Sequence, residues 1–336
     1  MNTPEQVPVS VVVPVYSGEE YLDELVGEML KVRNGWTASG APLHLAEVIF
    51  VDDNAIDGSA GVLDRLSAAH SWVTVLHLSR NFGQHPATIA GILHSSGDWV
   101  VTMDEDLQHP PARIVELLRK AIESGADVVY AQPVSNVHKK ALRDFSSRLY
   151  KQMIEALTHN KFVRMFNSFR LIRGPVARAA AAICNHDTYF DIALSWFTNR
   201  FNQVSMTLED RRFIETGKSG YSLKSLMSHA RRMLFTSRLD IIRFGGLFGF
   251  IVAGLSVLAV IGLASQQVFW PGAVVVQGWA STVLLIAFFG GSTILILGIL
   301  LEYMVMLVQR AHGKPLFFIV DRSIDKPLKD YFAENS

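Results

Sequence analysis

From Phe244 to Leu301 the chain carries no Asp, Glu, Lys or Arg, an uncharged run of 58 residues in a protein of 336. A helix needs about 20 apolar residues to cross a bilayer, and the run holds two such stretches, at 244–264 and at 279–301, the second continuing toward 308. Gln266, Gln267, Trp270, Pro271, Gly272, Gln277 and Gly278 lie between them and read as a short polar hairpin with tryptophan at the interface. Arg231, Arg232, Arg238 and Arg243 precede the first stretch, Arg310 and Lys314 follow the second, and the hairpin has no basic residue. The positive-inside rule therefore puts both ends in the cytosol and the hairpin outside. The alternative is a buried helical hairpin in a soluble core. Gly245, Gly249 and Ala253 have small-xxx-small spacing, which fits a helix-packing face between subunits and equally the general frequency of glycine in membrane helices.

Outside this run the chain is an ordinary soluble sequence. Its 31 basic and 31 acidic residues cancel, which excludes a nucleic-acid binder driven by a basic surface. The apolar content excludes a disordered chain, and a single cysteine, Cys184, excludes a disulfide scaffold. The segment Met1 to Pro8 is short and polar, without the pattern of a secretory leader. The expected organisation is a cytosolic domain at 1–220, an amphipathic juxtamembrane segment at 221–243, two membrane helices with an external hairpin at 244–308, and a cytosolic tail at 309–336.

The soluble part alternates strand and helix. β-Branched runs at 9–13, 47–51, 73–78, 99–103 and 128–130 read as strands, and helical patterns at 19–32, 58–69, 85–94 and from the Pro110–Pro111 pair to about 123 fall between them. Repeated βα units predict an α/β fold, a mostly parallel Rossmann-like sheet covered on both faces by helices. Ligands in such folds sit beyond the carboxyl ends of the strands. The polar clusters fall there: Tyr16 and Ser17, Asp52 to Asn54, and Asp104 to Gln108.

The common phosphate-binding loops are missing, as are zinc-protease, Cys-x-x-Cys and serine-hydrolase motifs, and the eleven histidines have no metal-ligand spacing. What remains is the run Met103-Asp104-Glu105-Asp106-Leu107-Gln108-His109-Pro110-Pro111. In an extended segment Asp104 and Asp106 point to one side, and two such carboxylates repel unless a cation lies between them. Hard divalent ions such as Mg²⁺ or Mn²⁺ suit oxygen ligands and share themselves with substrate phosphates. A solvated acidic turn before a proline-started helix has the same sequence. Asp52 and Asp53 can accept hydrogen bonds from a nucleotide's base or ribose, or cap and turn into the next helix.

The segments VVVPVYSGEEYLDEL, EVIFVDDNAIDGS, LSRNFGQHPATIAGI, GDWVVTMDEDLQHPP and ETGKSGYS, followed by paired spans, give the chain a specific resemblance. It resembles the polyprenyl-phosphate glycosyltransferases of family 2, with the A-type fold, a group that includes dolichol-phosphate mannosyltransferases and bacterial undecaprenyl-phosphate sugar transferases. The resemblance implies that Pro14, Tyr16, Val51 and Asp53 hold the nucleotide of a sugar donor. It implies that Asp104, Asp106 and Gln108 hold the metal bridging the diphosphate. Arg143 and Ser147, four apart in LRDFSSRLY, would meet the lipid phosphate, or else belong to an ordinary amphipathic helix. Arg170 in NSFRLIR would lie on the acceptor side, and Arg211, Lys218, Ser219 and Tyr221 in the pre-membrane segment. The implied reaction is an inverting, metal-dependent transfer from a nucleotide sugar, UDP-glucose or another UDP-hexose first, to undecaprenyl or another polyprenyl phosphate. Relatives often assemble as tetramers, so a homo-oligomer is expected.

Three departures stand out. The usual Asn-Glu after the Tyr is Ser17-Gly18, the usual Asp-Gly-Ser is Asp53-Asn54-Ala55, and an expected Arg is replaced near Ala131-Gln132-Pro133. Those at Gly18 and Asn54 keep open an inactive, membrane-anchored nucleotide-sugar-binding scaffold. A processive polysaccharide synthase would bring a Gln-xxx-Arg-Trp motif and more spans, and neither is present.

Overall fold

The computed structural model describes residues 6–133, 162–185, 188–206, 269, 278–311 and 315–319. The chain divides into two compact units, one of residues 1–236 with 315–336 and one of residues 237–314.

The first unit is built on a seven-stranded sheet. In chain order its elements are β1 (Val7–Val15), α1 (Leu22–Ala38), β2 (Leu43–Asp52), α2 (Ser59–Ala69), β3 (Val73–His77), α3 (Gln84–His94) and β4 (Trp99–Thr102). A 3₁₀ turn at Pro111–Arg113 leads into α4 (Ile114–Ser124) and β5 (Val128–Pro133). Then come β6 (Arg170–Arg173), α5 (Gly174–Ile183), α6 (Phe190–Phe197) and β7 (Phe201–Met206). The strand order is β3-β2-β1-β4-β6-β5-β7. The β1–β2, β1–β4, β2–β3 and β5–β7 pairs are parallel, whereas β6 runs antiparallel to both β4 and β5.

Side chains explain why the sheet is covered on both faces. In β1, Val9, Val11, Val13 and Val15 enter one core and Val12 the other, as the two-residue strand period requires. The first core takes Leu22, Leu25 and Met29 from α1, Leu63 from α2 and Leu117 from α4. The second takes Ile89 and Ile92 from α3, Ala177 from α5 and Phe190 from α6. Gly91 of α3 faces Val12, where an added Cβ would come within 2.3 Å of the valine methyl. That glycine lets α3 lie directly on β1.

The expected βα series is present, with one correction. The sheet does not close at β5. The four-residue strand β6 inserts between β4 and β5, and β7 adds outside β5. A four-residue stretch with an arginine at each end carries too little periodicity to announce a strand. Boundaries also move: β1, β2 and β5 are longer than expected and α1 starts at Leu22. Helix α1 runs on to Ala38 because Trp36 finds a buried place, and β4 ends at Thr102.

In the second unit the described element is α7 (Gly278–Ala311), 34 residues that rise about 50 Å. Its window Phe288–Val305 is 7% buried and is long and apolar enough to cross a membrane. The second expected span is thus a helix. The first, at 244–264, lies outside the described residues, as do 265–268, 270–277 and the segment 221–243, whereas Gly278, expected in the hairpin, opens α7.

Candidate active site

Parallel pairing brings three strand ends to one edge. Pro14 lies opposite Val51 and Val15 opposite Asp52, while Val12 pairs with Thr102, the last residue of β4. The chain past each end is therefore polar on the same side of the sheet. Asp53 N–H donates to the Val15 carbonyl at 2.8 Å and Ile56 N–H to the Tyr16 carbonyl at 3.1 Å, which ties the first two ends together. Tyr16, 40% exposed, stands open at this edge, whereas Val51, Asp52 and Asp53 are buried.

The carboxylates after β4 do not lie on an extended segment, contrary to the sequence reading. The chain bends over residues 105–109, and Leu107 sits in the left-handed region with φ of 59°. Such a conformation costs a non-glycine residue of order 1 kcal/mol or more and is characteristic of functional sites. Asp104 accepts from Gln84 Nε2 at 2.6 Å through Oδ1 and from Ser168 Oγ at 2.8 Å through Oδ2. Asp106 accepts from Gln108, at Oδ2 from Nε2 at 2.8 Å and at Oδ1 from the backbone N–H at 3.3 Å. His109 is buried, stacks on Phe169 with ring centroids 5.0 Å apart, and accepts the Asp104 N–H at Nδ1, 3.0 Å away. Burial pushes its pKa down, against the pull of Asp104 and Asp106. A neutral imidazole with its proton on Nε2 is what that hydrogen bond requires.

Asp104, Asp106 and Gln108 are the residues expected to hold a divalent cation. Among the described residues no group of three or more His, Cys, Asp or Glu could hold a metal ion by itself. Two carboxylates on one turn suit an ion that completes its shell with substrate phosphates and water.

Glu105, between the two aspartates, turns the other way. Its Oε2 accepts the Tyr16 N–H at 2.8 Å and its Oε1 the Ser17 N–H at 3.1 Å. Sequence reasoning assigned it no role. Gln84, Ser168 and His109 were missed as well. Gln84 and Ser168 had no signal, because they reach Asp104 only through the tertiary fold.

Asp52 and Asp53 are each engaged within the protein. Asp52 accepts from Ala55 N–H at 2.8 Å and meets His77 Nδ1 at 2.8 Å, and His77 Nε2 lies 3.0 Å from Asp64. The Asp52 hydrogen bond, with help from Asp64, raises the His77 pKa against the opposing effect of burial. Asp53 accepts the Phe82 and Gly83 N–H groups at 2.7 and 2.8 Å. Burial raises its pKa while these two donors lower it. Asn54 has φ of 54°. Asparagine is the non-glycine residue that best tolerates that region, so the turn survives the departure from Asp-Gly-Ser.

Arg170 is the residue expected on the acceptor side. It is buried, paired with Asp191, and its guanidinium carbon lies 4.9 Å from the centre of the Phe190 ring. Tyr130 Oη donates to the same Asp191 oxygen at 2.7 Å. Arg143 and Ser147 lie outside the described residues, as do Arg211, Lys218, Ser219 and Tyr221.

A Rossmann-type sheet with an antiparallel strand set beside β4 and acidic residues past the end of β4 has the A-type transferase fold. The chain belongs to the glycosyl transferase family 2, which matches residues 10–185, and it is a glycosyltransferase. It is 31% identical over 318 residues to an undecaprenyl-phosphate 4-deoxy-4-formamido-L-arabinose transferase of Pseudomonas fluorescens, covering 93% of this chain and 88% of that one. It is 28% identical over 316 residues to an uncharacterised glycosyltransferase of Synechocystis, covering 94% and 95%. Among solved structures it is similar to mannosyl-3-phosphoglycerate synthase from Rubrobacter xylanophilus, with TM-score 0.49, 14% identity, and 71% and 75% of the two chains covered.

Proposed function

We propose that the enzyme transfers a sugar from a nucleotide-diphosphate donor to a polyprenyl phosphate, undecaprenyl phosphate first, at the cytoplasmic face of a membrane. The observation that carries this reading is the joining, in one family 2 chain, of a carboxylate turn at the strand ends with a 34-residue apolar helix. Near-full-length similarity to a protein named for an undecaprenyl-phosphate acceptor supports it.

The acceptor phosphate is mostly ionised near neutral pH, with a second pKa of about 6, so it needs little help from a base. The task is to hold two anions together and to neutralise the leaving diphosphate. Asp104, Asp106 and Gln108 would hold Mg²⁺ or Mn²⁺, which when bound supplies positive charge to the diphosphate. Pro14, Tyr16, Val51 and Asp53 would shape the nucleoside pocket, Asp52 supporting it from behind. Arg143 and Ser147 would meet the lipid phosphate, and inversion would give a β-linked product from an α-linked donor. Two membrane helices, cytosolic termini and a homo-oligomer, a tetramer in the first instance, complete the reading. UDP-glucose and other UDP-hexoses are the first donors to test. Nucleotide-linked 4-deoxy-4-formamido-L-arabinose joins them, because the Pseudomonas relative is named for that sugar.

The test is to incubate the full chain in detergent with undecaprenyl phosphate, Mn²⁺ and these donors, with GDP-mannose added to the panel. A charged glycolipid from one donor, absent in Asp106→Ala, is expected. No product from any donor would instead favour a nucleotide-sugar-binding scaffold.

A further inference from the structure

Tyr16 and Ser17 present two successive backbone N–H groups at the mouth of the strand-end edge, and both are taken by the carboxylate of Glu105. Adjacent N–H groups of this kind form a concavity that binds anions. Here the anion is internal, it is buried, and it comes from the turn that carries Asp104 and Asp106. A carboxylate accepting two N–H groups makes charge-assisted hydrogen bonds, stronger than neutral ones. Gly18 leaves room for it: a Cβ there would stand 3.0 Å from the Glu105 carboxyl carbon and 3.1 Å from Oε2, a tight contact that the carboxylate would have to shift to relieve. Gly18 itself is held by its N–H, which donates to Ser59 Oγ at 3.1 Å.

We infer that Glu105 is a positioning residue, a latch that fixes the Tyr16–Gly18 loop to the carboxylate turn so that the nucleoside and diphosphate ends of a donor are held in one frame. This rests on the nucleotide-sugar reading of the edge. It makes the departure at Gly18 part of the machinery, because the missing side chain is the space that Glu105 fills. It also closes the Tyr16–Ser17 concavity to a phosphate, leaving the diphosphate to the metal-binding carboxylates.

Two measurements on the full chain test it. Hydrogen–deuterium exchange needs no substrate, so its result stands whatever the acceptor proves to be. In Glu105→Ala the Tyr16 and Ser17 amides should exchange about tenfold faster or more, with the β-strands unchanged. Glu105→Gln keeps the shape and one acceptor oxygen, and should release one of the two amides. With the donor that supports turnover, Glu105→Ala should raise KM about fivefold or more while kcat stays within about threefold. Gly18→Ala, which crowds the carboxylate, should give the same split. Combining it with Glu105→Ala should be no worse than the more damaging single change, as expected for residues acting through one contact. Unchanged exchange at Tyr16 and Ser17 would overturn the latch. Faster exchange with unaltered KM, or additive effects in the double variant, would overturn its role in positioning.

Discussion

The backbone carbonyl of Phe318 accepts a hydrogen bond from Ser79 N–H at 2.9 Å, and Leu78 and Ile319 form an antiparallel bridge beside it. The segment Pro315–Ile319 follows the long apolar helix in sequence, yet it joins the sheet domain at the end of β3. Leu316, Phe317 and Ile319 pack against the second core together with Leu76 and Phe82. The stretch they cover leads directly to the Phe82 and Gly83 N–H groups on Asp53 and to Gln84 on Asp104. Removing the half-buried Phe317 ring as Phe317→Ala should cost about 1–2 kcal/mol, less than a fully buried phenylalanine. It should lower the melting temperature in detergent and raise the donor KM. Phe318 is 58% exposed, and Phe318→Ala should change neither.

Under the proposed function, Asp106 is a metal ligand and Gln84 a support of Asp104. Asp106→Ala should cut turnover by about a hundredfold or more, the scale for removing one preorganised electrostatic group. Gln84→Ala leaves both aspartates in place but frees Asp104 Oδ1. Loss of such an outer partner weakens metal affinity by about 10- to 100-fold. It should appear as a higher Mn²⁺ concentration at half-maximal rate, with near-normal turnover at saturating metal.

Asp191 neutralises Arg170 and accepts from Tyr130 in the same buried place. Asp191→Leu should destabilise the sheet domain by about 3–5 kcal/mol, since it leaves a buried charge without a partner. Arg170→Met combined with Asp191→Leu should recover most of that loss in a thermal melt, because an apolar pair has no charge to desolvate. If the double variant melts no higher than Asp191→Leu, the pair has another role.

Two histidines give opposite pH slopes. The His77 pKa is raised in the folded state by Asp52 and Asp64. Its stabilisation is complete below the unfolded value of about 6.5 and is lost as pH rises through the higher folded value. The His109 pKa is lowered by burial. Its contribution is complete above about 6.5 and is lost as pH falls through the lower folded value. His77→Gln should therefore flatten the alkaline side of a plot of melting temperature against pH and leave the acid side in place.

The chain's local chemistry announced much of this protein. An uncharged run of 58 residues requires apolar surroundings whatever the rest of the chain does. The β-branched runs declare parallel strands because both of their faces are buried. The acidic residues past β2 and β4 mark the strand ends. Tertiary structure decided what periodicity does not encode. Strand β6 exists because β4 and β5 offer it an edge on each side. Arg170 has a buried partner because Asp191 arrives from a helix 20 residues further on. Gln84 and Ser168 become partners of Asp104 across separations of 20 and 64 residues. Three consecutive acids look alike in sequence, yet Asp104, Glu105 and Asp106 have three sets of partners. The left-handed turn at Leu107 and the space above Gly18 direct each carboxylate separately, and neither can be read from local pattern. The sequence by itself determined the first five strands, the four helices between them and the long apolar helix, since each follows from its own residues. Only the fold determined which carboxylate meets which partner, because hydrogen bonds depend on distance in space and not along the chain.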